Sequence, residues 1–205
     1  MGTRHFVEVI SDGKKVISQY GQWDGCPSTA GVVICDFIKN HDMGEFKKIL
    51  DRLEPAGSPN EFQWTECCFG AEHPYSDIQR FCCNYKADHR FEYTIPELVK
   101  ACVDAFGPDV TKTYFMITRD TGYNILDILY TLNDLLDTEA KIPVFTSERG
   151  DNVPGNSYWL EALYVINLDT KVLTINWHGN EKVCRFSRMP GESTLSRFEK
   201  QRKFN

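Results

Sequence analysis

The chain has no long apolar run. The Val32-Val33-Ile34-Cys35 run opened by Gly31 and every other one fall well short of the roughly 18 residues that cross a bilayer as a helix, so no membrane partner is expected. It has no surplus of positive charge either. Lys and Arg number 23 against 29 Asp and Glu, for a net charge of -6, which argues against a general nucleic-acid binder. The opening Met1-Gly2-Thr3-Arg4-His5 lacks a basic-then-apolar leader, and Phe6 stands where N-myristoylation wants Ser or Thr. No Gly-x-x-x-x-Gly-Lys phosphate loop, dinucleotide fingerprint, Gly-x-Ser-x-Gly elbow or His-Glu-x-x-His string is present. The familiar forms of several enzyme classes are thereby excluded.

What is there suffices for a folded body. With 205 residues, 41% of them hydrophobic, residues 1–205 read as a single domain with a full core. Eight cysteines without a secretion leader read as reduced thiols of a cytoplasmic protein. Cys67, Cys68, His73, Cys82, Cys83 and His89 include no Cys-x₂₋₄-Cys spacing. Buried free thiols are therefore expected rather than zinc, and no metal or cofactor is expected at all. Charge is unevenly spread. Residues 182–205 hold seven Lys or Arg against two Glu, a net +5, which leaves -11 on residues 1–181. Such a basic segment is expected to pack on the acidic body or on a partner.

Asp12-Gly13 between two β-branched runs signals a hairpin of Phe6–Ile10 with Lys14–Gln19. Apolar residues at Ala30, Val33, Ile34, Phe37 and Ile38 mark a helical face, with Ser28 or Thr29 as its N-cap. Further helices are expected at Met43–Leu53, Tyr75–Cys83 and Ile95–Phe106, and along the Ile125-to-Leu136 stripe. A strand is expected at Tyr114–Ile117 and a second hairpin at Ala162–Ile166 with Val172–Trp177. Strands at both ends with helices between predict an α+β sandwich.

The loop from Tyr20 to Pro27 is the leading binding candidate. Trp23 offers a stacking face, Gln22 and Asp24 offer polar readout, and the amides of Ser28 to Gly31 are expected to be open to an anion or carbonyl. The competing reading is a packed Ω-type loop with Trp23 buried and Asp24 in an Asx turn. Thr118–Gly122 repeats the strand-to-helix geometry. There Asp120 or Thr121 reads as a cap, and Arg119 as the partner of an acidic ligand or of Asp24, or as a surface ion pair. His5, His41 and His178 are isolated, and His5 reads as core or site alike.

The MGTRH and QYGQWDG strings at residues 1–5 and 19–25, Arg119–Gly122 with its following helix, and the Tyr164–Asp169 segment resemble a family of proteins of fungi, bacteria and phages. The likeness leaves residues 55–110 unmatched and departs at Cys26, where the family carries Tyr. No activity attaches to that family, so none is implied. The layout is also similar, more distantly, to N-terminal-nucleophile amide hydrolases, in which a freed N-terminal Thr, Ser or Cys attacks an amide. That likeness makes Thr3 the candidate nucleophile once the chain is cut after Gly2, with Arg4, Asp24 or Asn156 supplying charge and oxyanion contacts. With Met1 and Gly2 in place, Thr3 has no free amine and reads as an ordinary strand residue. The leading expectation is thus a binding protein for a small molecule or partner protein, using Gln22, Trp23, Asp24, Arg119 and Asp120, with self-association left open. The alternatives are a Thr3 amidohydrolase, or its inactive relative, and a phage- or host-encoded inhibitor acting by protein contact.

Overall fold

A computed structural model describes residues 2–55, 94–107, 122–144 and 160–201, together with Phe81, Asn84, Tyr85 and Asp88. The chain divides into two units: Met1–Asp51 with Arg119–Tyr123 and Ser147–Asn205, and Arg52–Thr118 with Asn124–Thr146. The fold is α+β.

In the first unit, Asp12 and Gly13 both adopt left-handed backbone, φ 52° and 70°, the pairing a tight two-residue hairpin turn needs. It joins β1 (His5–Ser11) to β2 (Lys14–Gly21), in register from His5 opposite Gly21. β1 also pairs in parallel with β5 (Ala162–Asn167), His5 lying opposite Ala162. Strand β6 (Val172–Trp177) and strand β7 (Asn180–Arg185) complete a sheet of order β2-β1-β5-β6-β7. Flanked on both sides, β1 is buried on both faces from His5 to Val9. On β5 and β6 burial alternates, so that Ala162, Tyr164 and Ile166 share one core face with Leu173, Ile175 and Trp177.

The helical run after β2 begins earlier than expected. Cys26, not Ser28 or Thr29, is the N-cap of a π-helical turn, Pro27–Gly31, that leads into α1 (Val32–Asn40). Proline at the first helical position sets the start, because its missing N–H costs nothing there. α2 (Met43–Leu50) is capped by Asp42, whose side chain accepts from Gly44 N at 2.7 Å. It stops before the expected Leu53 because Leu53–Pro55 form β3, paired in parallel with β4 (Ile142–Val144) of the second unit.

The second unit also holds α3 (Ile95–Phe106) and α4 (Ile125–Leu135). Thr94 and Glu97 close a reciprocal capping box at the start of α3, the Glu97 carboxylate accepting from Thr94 N at 2.7 Å. The α4 stripe, Ile125, Leu126, Ile128, Leu129 and Leu132, is buried. Arg52 ties off the end of that helix by donating to the carbonyls of Asp137 and Ala140 and to Asn133.

The basic C-terminal segment contributes two elements that its charge concealed. β7 extends the sheet, and α5 (Glu192–Glu199) buries Leu195 and Phe198. Trp177 Nε1 donates to the Glu199 carbonyl at 3.0 Å, anchoring the end of that helix in the first unit. The helix expected at Tyr75–Cys83, Phe81 apart, and the strand expected at Tyr114–Ile117 lie outside the described residues.

Candidate functional site

Because β1 and β5 run parallel, their first residues meet at one end of the sheet, where β2 finishes. The chain before β1 and the loop after β2 are stitched together there. Gly25 N donates to the Thr3 carbonyl at 3.2 Å, and the buried Tyr164 hydroxyl donates to the Gly25 carbonyl at 2.8 Å. Ala30 N donates to the Asp24 carbonyl at 3.2 Å, and Tyr20 Oη to Gln22 Oε1 at 2.7 Å. On this fixed base the tip projects outward. Trp23 is 53% exposed, and Asp24 is exposed with a left-handed φ of 54°. A packed loop with a buried indole is not what forms. One side of the Trp23 ring lies so close to Gly2 that a Cβ added there would sit 2.5 Å from Cε3.

The amides expected to receive an anion are all engaged. Ser28 N donates to Glu199 Oε2 at 3.0 Å, Thr29 N and Gly31 N donate to the Cys26 carbonyl, and Ala30 N to Asp24. A carboxylate already occupies the start of the helix, so an anionic ligand is disfavoured at this point.

Beneath the loop lies His5, 1% exposed. Three glycines from three stretches of chain wall it in. A Cβ at Gly25 would fall 2.5 Å from His5 Nδ1, and Cβ atoms at Gly21 and Gly122 would run into the ring itself. Only glycine permits so close an approach. Tyr123 stacks on the imidazole, with centroids 5.5 Å apart, and Tyr164 meets it edge-on at 6.3 Å. Neither ring nitrogen has a hydrogen-bond partner among the described residues. Burial drives the His5 pKa down to about 4, and the Thr3 backbone, which favours the protonated ring, pulls the other way. Burial also raises the phenol of Tyr123, with Asp24 and Cys26 adding to the effect, and that of Tyr164 well above the ordinary tyrosine value. The ring is therefore neutral, as are the two tyrosines against it.

Cys26 is half-buried, its Sγ 3.1 Å from Thr29 Oγ1. Cys35 and Cys184 are buried and free, Cys102 is buried, and burial pushes the Cys35 thiol up to about 12. Among the described residues no three His, Cys, Asp or Glu side chains are placed to hold a metal ion, and no helix is long and apolar enough to cross a membrane.

Of the residues singled out by sequence, Thr3, Gln22, Trp23 and Asp24 meet at this end. Thr3 is half-buried and precedes β1 rather than belonging to it. Arg119, Asp120 and Asn156 lie outside the described residues, as do Cys67, Cys68, His73, Cys82, Cys83 and His89. Sequence reasoning missed the enclosure of His5. Its only trace was Gly21, Gly25 and Gly122, whose convergence the spacing does not reveal. No protein-family model, curated protein or solved structure matches the chain.

Proposed function

We propose that the chain is a binding protein that engages a small molecule or partner protein through the tip of the 20–27 loop, with Trp23 as anchor. The observation that carries this reading is an indole 53% exposed on a loop whose base is hydrogen-bonded in place. Ordered loops that present a large aromatic ring to solvent are typical recognition elements. With the helix amides engaged and Glu199 beside them, the tip suits a cationic or amide-bearing group that stacks on Trp23 and pairs with Asp24. The free thiols of Cys26, Cys35 and Cys184 favour a reducing, cytoplasmic setting. Native mass spectrometry of the purified chain, alongside Trp23→Ala and Asp24→Ala, tests the proposal. A retained ligand or partner that both variants lose supports it. Capture of nothing, or equal capture by the variants, defeats it.

A second reading, an amidohydrolase using Thr3, draws on the bond from Gly25 N to the Thr3 carbonyl, which sets the candidate nucleophile beside the same loop. It requires a freed Thr3 amine. An intact mass beginning at Met1 or Gly2 removes that reading.

A further inference from the structure

The His5 enclosure fits closely around the ring. Its glycine walls lie so close that a single added carbon would collide with the imidazole, so a ligand has no room there. What the arrangement offers is a buried titratable group clasped by the end of β2 (Gly21), the loop below Trp23 (Gly25) and the Gly122-Tyr123 segment.

We propose that His5 is an acid-operated latch: protonation of its ring drives the glycine walls apart and frees the 22–26 loop from the end of the sheet. Three observations lead there. Among the described residues neither imidazole nitrogen has a side-chain partner, and only the Thr3 backbone offsets burial, so the closed state gives a proton's charge little compensation, and poorly compensated charge is costly in the interior. The side chains touching the ring, Tyr123 and Tyr164, remain protonated phenols and supply no counter-charge. The loop is held by single hydrogen bonds at Thr3, Tyr164 and Ala30 rather than by strand pairing, so it is the part that yields first.

Other charged or titratable groups at this end come from every neighbouring element. The loop and the turn that follows it carry Asp24 and Cys26. Arg4 precedes β1, and Glu161 precedes β5, its carboxylate accepting from Arg4 N at 3.0 Å. His178 occupies the turn after β6, and Glu199 ends α5 against Ser28 N. The comparison below holds all of these constant.

A ring that protonates near 4 when enclosed and near 6.5 when open to water makes opening about thirtyfold more favourable at pH 5.0 than at pH 7.5. Hydrogen exchange of the full chain, corrected for intrinsic rates, reads this directly. Protection across residues 20–31 should fall about thirtyfold over that range while staying well below that of β5 and β6, as local opening requires, and His5→Leu should flatten the response. Should His5→Leu fail to fold, a ¹³C titration of the histidine rings in the unmodified chain decides: the latch requires His5 to titrate well below 6.5. Protection of residues 20–31 as high as that of β5 and β6, an equal response in His5→Leu, or a His5 ring titrating at its ordinary value overturns the proposal. The readout does not depend on what the loop binds, so failure of the binding reading leaves this one standing.

Discussion

At one end of the sheet the turns after β1 and β5 lie side by side, and the Asp169 carboxylate accepts from Asp12 N at 2.9 Å and Gly13 N at 2.8 Å. Asn167 Oδ1 accepts from Asp169 N and Thr170 N, and Lys47 reaches Asp12 and Ser11. At the other end His5 is buried, and among the described residues neither of its nitrogens has a side-chain partner. The first end is solvated, and its polar groups bond to neighbours a few residues away or to the adjoining turn. The second places a polar ring where each unmade bond costs about 1–3 kcal/mol. A chain able to satisfy its turns so fully retains the second arrangement at a cost, which marks that end as the one under a demand other than stability.

The sharpest way to expose the difference is acid. The unfolded chain binds a proton at the His5 position below about pH 6.5, whereas the folded ring resists until about 4. Stability is therefore whole above pH 6.5 and declines as pH falls, by about 3 kcal/mol at pH 4. Urea unfolding at stepped pH should show this decline, and His5→Leu should remove it. Next in size, Gly21→Ala pushes a methyl group into the imidazole and should cost about 2–3 kcal/mol. Thermal unfolding should show most of that loss recovered in the double variant with His5→Ala. Gly13→Ala at the turn end meets no atom within 4 Å and carries only the left-handed backbone cost, about 1–2 kcal/mol, with no neighbour whose change restores it. Trp23→Ala should move stability by no more than about 0.5 kcal/mol, separating the loop's recognition role from its structural one. The smallest effect belongs to Asp169→Asn. The Gly13 and Asp12 amides hold the Asp169 carboxyl below the usual carboxylate range. Its contribution is present above the unfolded carboxylate value and is lost only as pH falls through that lowered one. Exchange at the Asp12 and Gly13 amides should quicken in the variant at neutral pH, with no response between pH 7.5 and 5.

The turn end was legible in the sequence because its chemistry is local. Asp12-Gly13 and the Asn167-to-Thr170 stretch name their own turns, and the α4 stripe and the Ile95–Phe106 helix likewise depend on neighbours within a few residues. β3 and β4, three residues each, exist only through pairing across a long separation, which no local pattern encodes. In α5 two buried side chains among eight residues are outweighed by polar ones, so the stretch read as a charged tail. At the site, engagement of the Ser28 amide depends on Glu199 and the anchoring of Gly25 below Trp23 depends on Thr3, one remote in sequence and one on a different segment. The same holds for His5, whose walls come from positions 21, 25 and 122.

The parallel pairing of β1 with β5 has a consequence in time. Arg4 and Glu161, which bracket the start of that pairing, are 157 residues apart. At roughly 5–20 residues per second of synthesis, the first hairpin therefore waits on the order of 8–30 s with an open edge before its central partner is made. Through that interval a strand buried on both faces in the finished sheet has one edge without its partner.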